Sequence, residues 1–408
     1  MFHKASTMKK SLPALTSLRF FAAALIVLQH ANGYFKVGES FSSSYNLGQA
    51  VTFFFVLSGF ILTYNYPKLE RLDDSLEFIW ARISRIWPVH FFIFLVLLLI
   101  MLYTHQPFSL EQAFANMTLT QAWHHKAVIF FAFNAVSWSL SVELFFYCMF
   151  PLLIWKFQAN WLSRLKLSAM LGLLAIWMAI STRAVPFTGL EAYQPTISSW
   201  VNFWPPARLF EFVCGMVAAC LWMKYQLIID SKLKLSIFKA TVIEFLVVIL
   251  ILWASVQVPL YTMQLFYTGI ISMAVHAWVY YSGSAPFYAL LLFVFAFGRG
   301  YLSTLLSVKP LILLGEISFS LYLVHQPIIR CVEYYHNQLM PIPLTVQYTA
   351  YWLIILICSY FMWYFIEKPC QKKMKKLPNY IKSLRKTTPN TAESTLANWP
   401  AEENRNEI

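Results

Sequence analysis

Apolar residues run in long blocks along most of this chain, and polar residues are confined to the breaks between them. A helix needs about 20 mostly apolar residues to cross roughly 30 Å of hydrocarbon. Blocks of this kind fall at 12–31, 48–65, 89–104, 139–156, 166–182, 207–223, 240–256, 262–281, 285–298, 310–330 and 344–366. Lipid offers no hydrogen bonds to a backbone, so such segments satisfy their own as helices and pack on one another. The pattern predicts an all-α, polytopic transmembrane helical bundle. No internal repeat is visible, which weighs against transporters built from inverted repeats.

The charges in the breaks assign the sides. Lys4, Lys9 and Lys10 precede the first block, and Lys68, Arg71, Arg82 and Arg85 lie in the 66–88 break. Lys156, Arg164 and Lys166 mark a further basic break, as do Lys224, Lys232, Lys234 and Lys239. The alternate breaks 32–47 and 105–137 hold one lysine each. Cytosolic loops are enriched in Lys and Arg, so the N-terminus and the basic breaks are placed inside. Eleven full spans would put Arg299, Lys309 and the eight Lys and Arg residues between Lys368 and Lys386 outside. If 262–298 crosses once, with a broken or re-entrant portion, these cations return to the cytosol. The expectation is therefore about ten spans with one broken segment and both termini cytosolic; the fold and the absence of a eukaryotic-type targeting tail suit a bacterial inner membrane.

Composition narrows the partners. Hydrophobic residues make up 59% and charged residues 12%, against about 25% charged in soluble domains. The net charge of +13 would suit nucleic acid, but these cations flank apolar blocks, where they set topology and meet anionic lipid. Nucleic acid is excluded as a partner and membrane lipid expected. With no Gly-, Ser- and Pro-rich break, 1–372 reads as one membrane domain and 373–408 as a basic, then polar, disordered cytosolic tail. The 12–31 block lacks a following small-residue cleavage site and is expected to be retained. The six cysteines have no metal-ligand spacing and read as small hydrophobes.

Ionisable residues inside spans are costly and mark functional sites by default. Arg19 and His30 share the first span, about 16 Å apart along a helix axis, with Arg19 towards the cytosol and His30 towards the outer face. Glu143, in the run Trp138-Ser139-Leu140-Ser141-Val142-Glu143, opens a span that enters from outside. His325 lies near the outer end of its span, in Ser318-Phe319-Ser320-Leu321-Tyr322-Leu323-Val324-His325-Gln326-Pro327. Two histidines and a carboxylate at similar depth offer a general base, a partner to orient it and a second imidazole. On the cytosolic side, Arg82 and Arg85 share one face if helical. Their planar guanidinium forks suit phosphates, and Arg19 adds a third cation. No metal set is apparent, and His124 and His125 are expected to be solvated loop residues.

Taken in order, these segments resemble a known family. Arg19 followed by His30, Phe53-Phe54-Phe55-Val56-Leu57-Ser58-Gly59-Phe60, Arg82/Arg85-Pro88 and Trp138 to Glu143 are succeeded by Arg208-Leu209-Phe210-Glu211-Phe212-Val213-Cys214-Gly215. Then come Ser318 to Pro327 and Phe365-Ile366-Glu367-Lys368-Pro369. From about 12 to 372, the chain is similar to membrane acyltransferase family three, whose bacterial members O-acylate surface polysaccharides. The resemblance implies ten core helices, an acyl-coenzyme A donor (commonly acetyl-CoA) bound from the cytosol, and a glycan or lipid-linked sugar as acceptor. It places the family's essential Arg and His on Arg19 and His30, its motif Glu on Glu143, and its loop arginines on Arg82 and Arg85. Leu144 stands where many members carry a second acidic residue, which argues against two carboxylates acting there. No soluble hydrolase-like domain follows the bundle, so the membrane part is expected to act alone or with a partner.

The mechanism this implies has acyl-CoA phosphates near Arg82, Arg85 and Arg19. His30 acts as base or is transiently acylated, Glu143 supports the imidazole, and His325 orients the acceptor or holds the bundle. Blander readings stand beside it. Arg19 can snorkel to headgroups, Arg82 and Arg85 are ordinary positive-inside residues, and a Glu at a helix start answers the dipole. Ser58 and Gly59 suit close helix packing better than nucleophilic chemistry. Trp138, Ser141, Arg208, Tyr322 and Glu367 are read as supporting motif residues, with Glu367 meeting a cation at the inner interface. The alternative function is a proton-coupled transporter or flippase of a glycan precursor or small acid, with the buried ions as its relay.

Overall fold

The computed structural model describes residues 10–37, 45–189, 191–229 and 236–375; Lys4, Lys9, Lys232, Lys234 and the tail from 376 lie outside them. The bundle is carried by α1 (Pro13–Phe35), α2 (Gln49–Asn65), α3 (Leu72–Tyr103), α4 (Trp138–Ile154), α5 (Phe157–Ser181) and α6 (Leu209–Ile228). It continues through α7 (Ile237–Tyr267), α8 (Met273–Ser282), α9 (Ala285–Phe295), α10 (Lys309–Tyr334) and α11 (Leu344–Met362). Among the described residues nine helices are long and apolar enough to cross a membrane, the pair α8–α9 counting as one. The shorter apolar α2 makes a tenth. The fold is the all-α polytopic bundle expected from the hydrophobic pattern.

The broken crossing is real, but its boundaries differ from those the pattern gave. Residues 262–267 belong to α7, which runs through Pro259 and ends at Tyr267, with Gly269 at φ +75° turning the chain. A proline inside a membrane helix is tolerated when neighbours satisfy the freed backbone groups, so Pro259 is no boundary. The break falls instead between Ser282 and Ala285. Carbonyls left open there find side-chain donors from the α2 region. Asn46 and Gln49 both donate to the Tyr280 oxygen at 3.1 Å, and Thr52 donates to the Tyr281 oxygen at 2.7 Å. Ser284 Oγ in turn donates to Gln49 Oε1 at 2.5 Å.

The 66–88 stretch also departs from expectation, because only its beginning is a loop. Asp73 and Asp74 occupy the first turn of α3, where carboxylates favour a helix start, and the helix continues through Pro88. Arg82 and Arg85 therefore sit on a helix inside the bundle. Close approach holds the remaining core helices. A Cβ on Gly59 would lie 1.9 Å from the Phe212 oxygen, and one on Gly215 would lie 1.9 Å from the Val56 oxygen. Helices α2 and α6 thus touch backbone to backbone. Gly315 of α10 meets the Thr16 oxygen of α1 in the same way.

The segment between α3 and α4 is not a surface loop. Leu119, Ala122, Phe130 and Val136 are all buried, so it folds down into the bundle. His90 Nε2 bonds the Asn116 carbonyl at 2.7 Å, and Gln121 donates to the Ser137 carbonyl at 3.0 Å. His125 corrects its expected solvated role: its ring lies 3.5 Å from that of Trp200, and burial pushes its pKa below the usual histidine value. His124, partly exposed, sits 3.5 Å from Glu111.

Candidate active site

Helices α1, α2, α3, α4 and α10 enclose a cavity of about 170 Å³. Its polar lining is Arg19, Arg82, Arg85, Glu143, Ser58, Ser139, Tyr147, Ser318 and Tyr322, set among apolar residues such as Phe54, Phe55 and Leu57. The three arginines expected to hold phosphate are thus brought together from two helices, Arg19 from α1 and Arg82 and Arg85 from α3. Ion pairs among the described residues lie elsewhere, at Arg71–Asp73, His124–Glu111 and Arg208–Glu211. Arg82 rests over the rings of Tyr66 and Phe78, reaches the Tyr66 hydroxyl at 3.4 Å, and keeps its Nε without a partner. The charges acting on Arg19 include Arg85, Glu367 and Glu143. Glu367, on a π-helical turn after α11, accepts from Ser320 Oγ at 2.8 Å. The cations acting on it are Arg85 and Arg19.

Glu143 goes to this cavity and not to His30. Its hydrogen bonds come from the Tyr147 hydroxyl and, at 3.4 Å, from Ser58 Oγ. The similar depth expected for Glu143 and His30 assumed that α4 starts at the membrane surface. Because the preceding segment folds inward, α4 starts deep, with Ser139 Oγ 2.8 Å from the Tyr322 hydroxyl. Glu143 lies one further turn along α4, in the cavity that Arg19 also lines.

His30 and His325 do meet. His30 Nδ1 and His325 Nε2 are 2.9 Å apart, with ring centroids 5.2 Å apart and planes 13° from parallel. This is the geometry of two imidazoles sharing one in-plane hydrogen bond. His325 is fully buried, whereas His30 is partly exposed. Between this pair and the cavity stands Tyr322, whose ring is 5.9 Å from that of His325. The Tyr322 hydroxyl also reaches the Val136 carbonyl at 2.9 Å.

The other motif residues serve the scaffold. Arg208 is buried, bonded to Glu211 at 2.7 Å, to Thr52 Oγ1 at 3.0 Å and to Asn202. Glu211 in turn accepts from Ser282 Oγ at 2.6 Å, so this ion pair ties α6 to the broken crossing. Trp138 packs edge-on to Phe203 at 4.8 Å, deep in the core. The Ser141 hydroxyl meets the Ala122 amide at 3.4 Å.

Sequence reasoning passed over Tyr147, Asn134 and Arg330. Tyr147 follows Glu143 by one helical turn, a signal readable from spacing. Arg330 bonds the Phe133 carbonyl at 3.0 Å and is a charge acting on His30; as an ion within a span it met the rule already applied to Arg19. Asn134 has a less legible role. Pro327 has no N–H, which leaves the Leu323 carbonyl unpaired in the helix, and Asn134 Nδ2 fills that vacancy at 2.9 Å.

A cationic cavity among apolar helices, separated by Tyr322 from a histidine pair, defines a polytopic membrane protein with an ionisable site inside its bundle. The chain belongs to membrane acyltransferase family three: the family's profile, described as an acyltransferase domain, matches residues 12–366. It is 32% identical over 229 residues to the acyltransferase MdmB of Streptomyces mycarofaciens, covering 52% of this chain and 57% of that one. It is 25% identical over 394 residues to the putative peptidoglycan O-acetyltransferase YrhL of Bacillus subtilis, covering 90% and 56%. The O-acetyltransferase OatA of Staphylococcus aureus is 29% identical over 382 residues, with 89% and 57% covered. The chain thus spans little more than half the length of these relatives. No solved structure matches.

Proposed function

We propose that this protein is a transmembrane O-acyltransferase. It moves an acetyl group from cytosolic acetyl-coenzyme A to a hydroxyl of a surface glycan or its lipid-linked precursor, in a bacterial inner membrane with both termini cytosolic. The observation that carries the reading is the convergence of Arg19, Arg82 and Arg85 on one cavity whose far wall, Tyr322, adjoins the His30–His325 pair. Guanidinium groups bind phosphate through paired, charge-assisted hydrogen bonds, and three of them answer the phosphates of a coenzyme A. The names of the YrhL and OatA relatives support an acetyl group, and that of YrhL a glycan acceptor.

In this reading Glu143, with Tyr147 and Ser58, offsets the arginine charges at the base of the cavity and fixes their orientation. The rise from Arg19 to His30 is about 16 Å, a distance the extended pantetheine arm covers. At the outer end, His30 Nε2 takes the acceptor hydroxyl proton as that oxygen attacks the thioester carbonyl carbon. The C–S bond then breaks, and the coenzyme A sulfur leaves with the proton carried by His30. Arg330 supplies positive charge where the tetrahedral oxyanion forms.

The test is transfer of label from radiolabelled acetyl-CoA to cell-surface glycan, with wild type and His30→Ala expressed at equal, folded levels. Label is expected on glycan only with the wild type. If neither chain labels glycan while the wild type moves a glycan precursor or small acid across the membrane, the protein is a transporter.

A further inference from the structure

The histidine pair carries more than proximity, because its hydrogen bonds fix where each proton lies. A neutral imidazole has one N–H and one lone pair, and the partner of one nitrogen decides the state of the other. His325 Nδ1 faces the Leu321 carbonyl at 3.3 Å. A carbonyl oxygen only accepts, so this nitrogen must carry the proton. His325 Nε2 is then a lone pair, and the 2.9 Å contact to His30 Nδ1 is a bond that His30 donates. His30 Nδ1 is consequently protonated, and His30 Nε2 is left with a lone pair.

His325 is itself held against rotation. It is fully buried, its own carbonyl accepts from the Tyr351 hydroxyl at 3.4 Å, and Asn134 pins the helix backbone beside it at Leu323. His30, the more exposed of the two, is the one a substrate can reach. We propose that His325 is a positioning residue: through the chain Leu321 carbonyl, His325, His30, it holds His30 in the tautomer whose Nε2 is free to take the acceptor's proton. Glu143, bonded within the cavity, has no part in this.

This inference rests on His30 being the base in the proposed transfer, and its test separates the two. Nitrogen-15 NMR of histidine-labelled protein in nanodiscs reads the tautomer without any turnover, with resonances assigned by difference against His30→Ala and His325→Phe. Wild type is expected to show a protonated Nδ1 and an unprotonated Nε2 for both residues, and His325→Phe a mixture of tautomers at His30. In parallel, His325→Gln places an amide oxygen near the lost Nε2 and restores an acceptor for His30 Nδ1. It is expected to keep kcat within about 10-fold of wild type, whereas His325→Phe loses about 100-fold or more, the scale of general base catalysis. The KM for acetyl-CoA should stay unchanged in both. A His30 protonated at Nε2, or equal kcat losses in the Gln and Phe variants while both remain folded, overturns the inference and leaves the base role of His30 standing. Full transfer by His30→Ala overturns the base role itself, whatever the NMR shows.

Discussion

At the scale of single residues, the chain uses arginine in two ways that its sequence does not distinguish. Arg208 and Arg85 both sit in family motifs inside the bundle, yet their surroundings differ. Arg208 is saturated by Glu211, Asn202 and Thr52, while Arg85 faces the cavity. Arg208→Met strands the buried Glu211 carboxylate, and breaking such a pair costs about 3–5 kcal/mol. It should lower the melting temperature of detergent-purified protein sharply. In the proposed reading Arg85→Ala removes a charge-assisted bond to donor phosphate worth about 1.5–3 kcal/mol, and should weaken acetyl-CoA binding roughly 10- to 100-fold with little change in melting temperature. Calorimetric titration of both variants reads the contrast, and an Arg85→Ala chain that binds like wild type would remove phosphate recognition from this site. The expense of an ion in a span was legible in the sequence for both residues. What each ion faces was not, because the partners of Arg208 lie 3, 6 and 156 residues away.

At the scale of elements, prolines show where local reading fails. Pro88 and Pro259 resemble boundaries by local rules, but α3 and α7 run through them. Long apolar helices were legible because hydrophobic length alone predicts a crossing. The inward fold of residues 119–137 was not, since its burial depends on contacts with α3, α4 and α10, made by Phe133 with Phe94, Ala122 with Ser141 and Asn134 with Leu323. That fold sets the depth of α4, and so decides that Glu143 joins the arginines and not His30. The junction can be tested by a double-mutant cycle. Asn134→Ala leaves the Leu323 carbonyl buried and unpaired, which costs about 1–3 kcal/mol. Pro327→Ala restores an N–H to the helix and gives that carbonyl an internal partner. The double variant should therefore lose less stability than the two single losses summed; strictly additive losses in thermal unfolding would show that Pro327 and Asn134 do not act on one carbonyl.

At the scale of the whole molecule, the proposed reaction has a direction only if the cavity and the histidine pair face opposite sides of the membrane, and that depends on the parity of the crossings. With α8 and α9 forming one broken crossing, every segment after residue 296 keeps the side that its charges favour. In the proposed orientation Lys309 then lies on the cytosolic side and Asn337 outside. If 262–281 and 285–298 each crossed in full, both assignments would reverse, and α10 would carry His325 to the wrong face while α1 still carried His30 outward. Two contacts, Thr16 with Gly315 and His30 with His325, are incompatible with that reversal, because together they require α1 and α10 to run in the same direction. Single cysteines at Lys126, Lys156, Gly269, Lys309 and Asn337, labelled in intact spheroplasts with a membrane-impermeant maleimide, test this against the unsubstituted chain as background. Positions 126, 269 and 337 should label from outside, and 156 and 309 only after permeabilisation. Outside labelling at 309 with protection at 337 would separate the histidines and sink the donor-inside, acceptor-outside arrangement. The predicted labelling would instead make the short break at Ser282–Ala285, held by Gln49, Thr52 and the Arg208–Glu211 pair, the feature that sets the polarity of the whole enzyme.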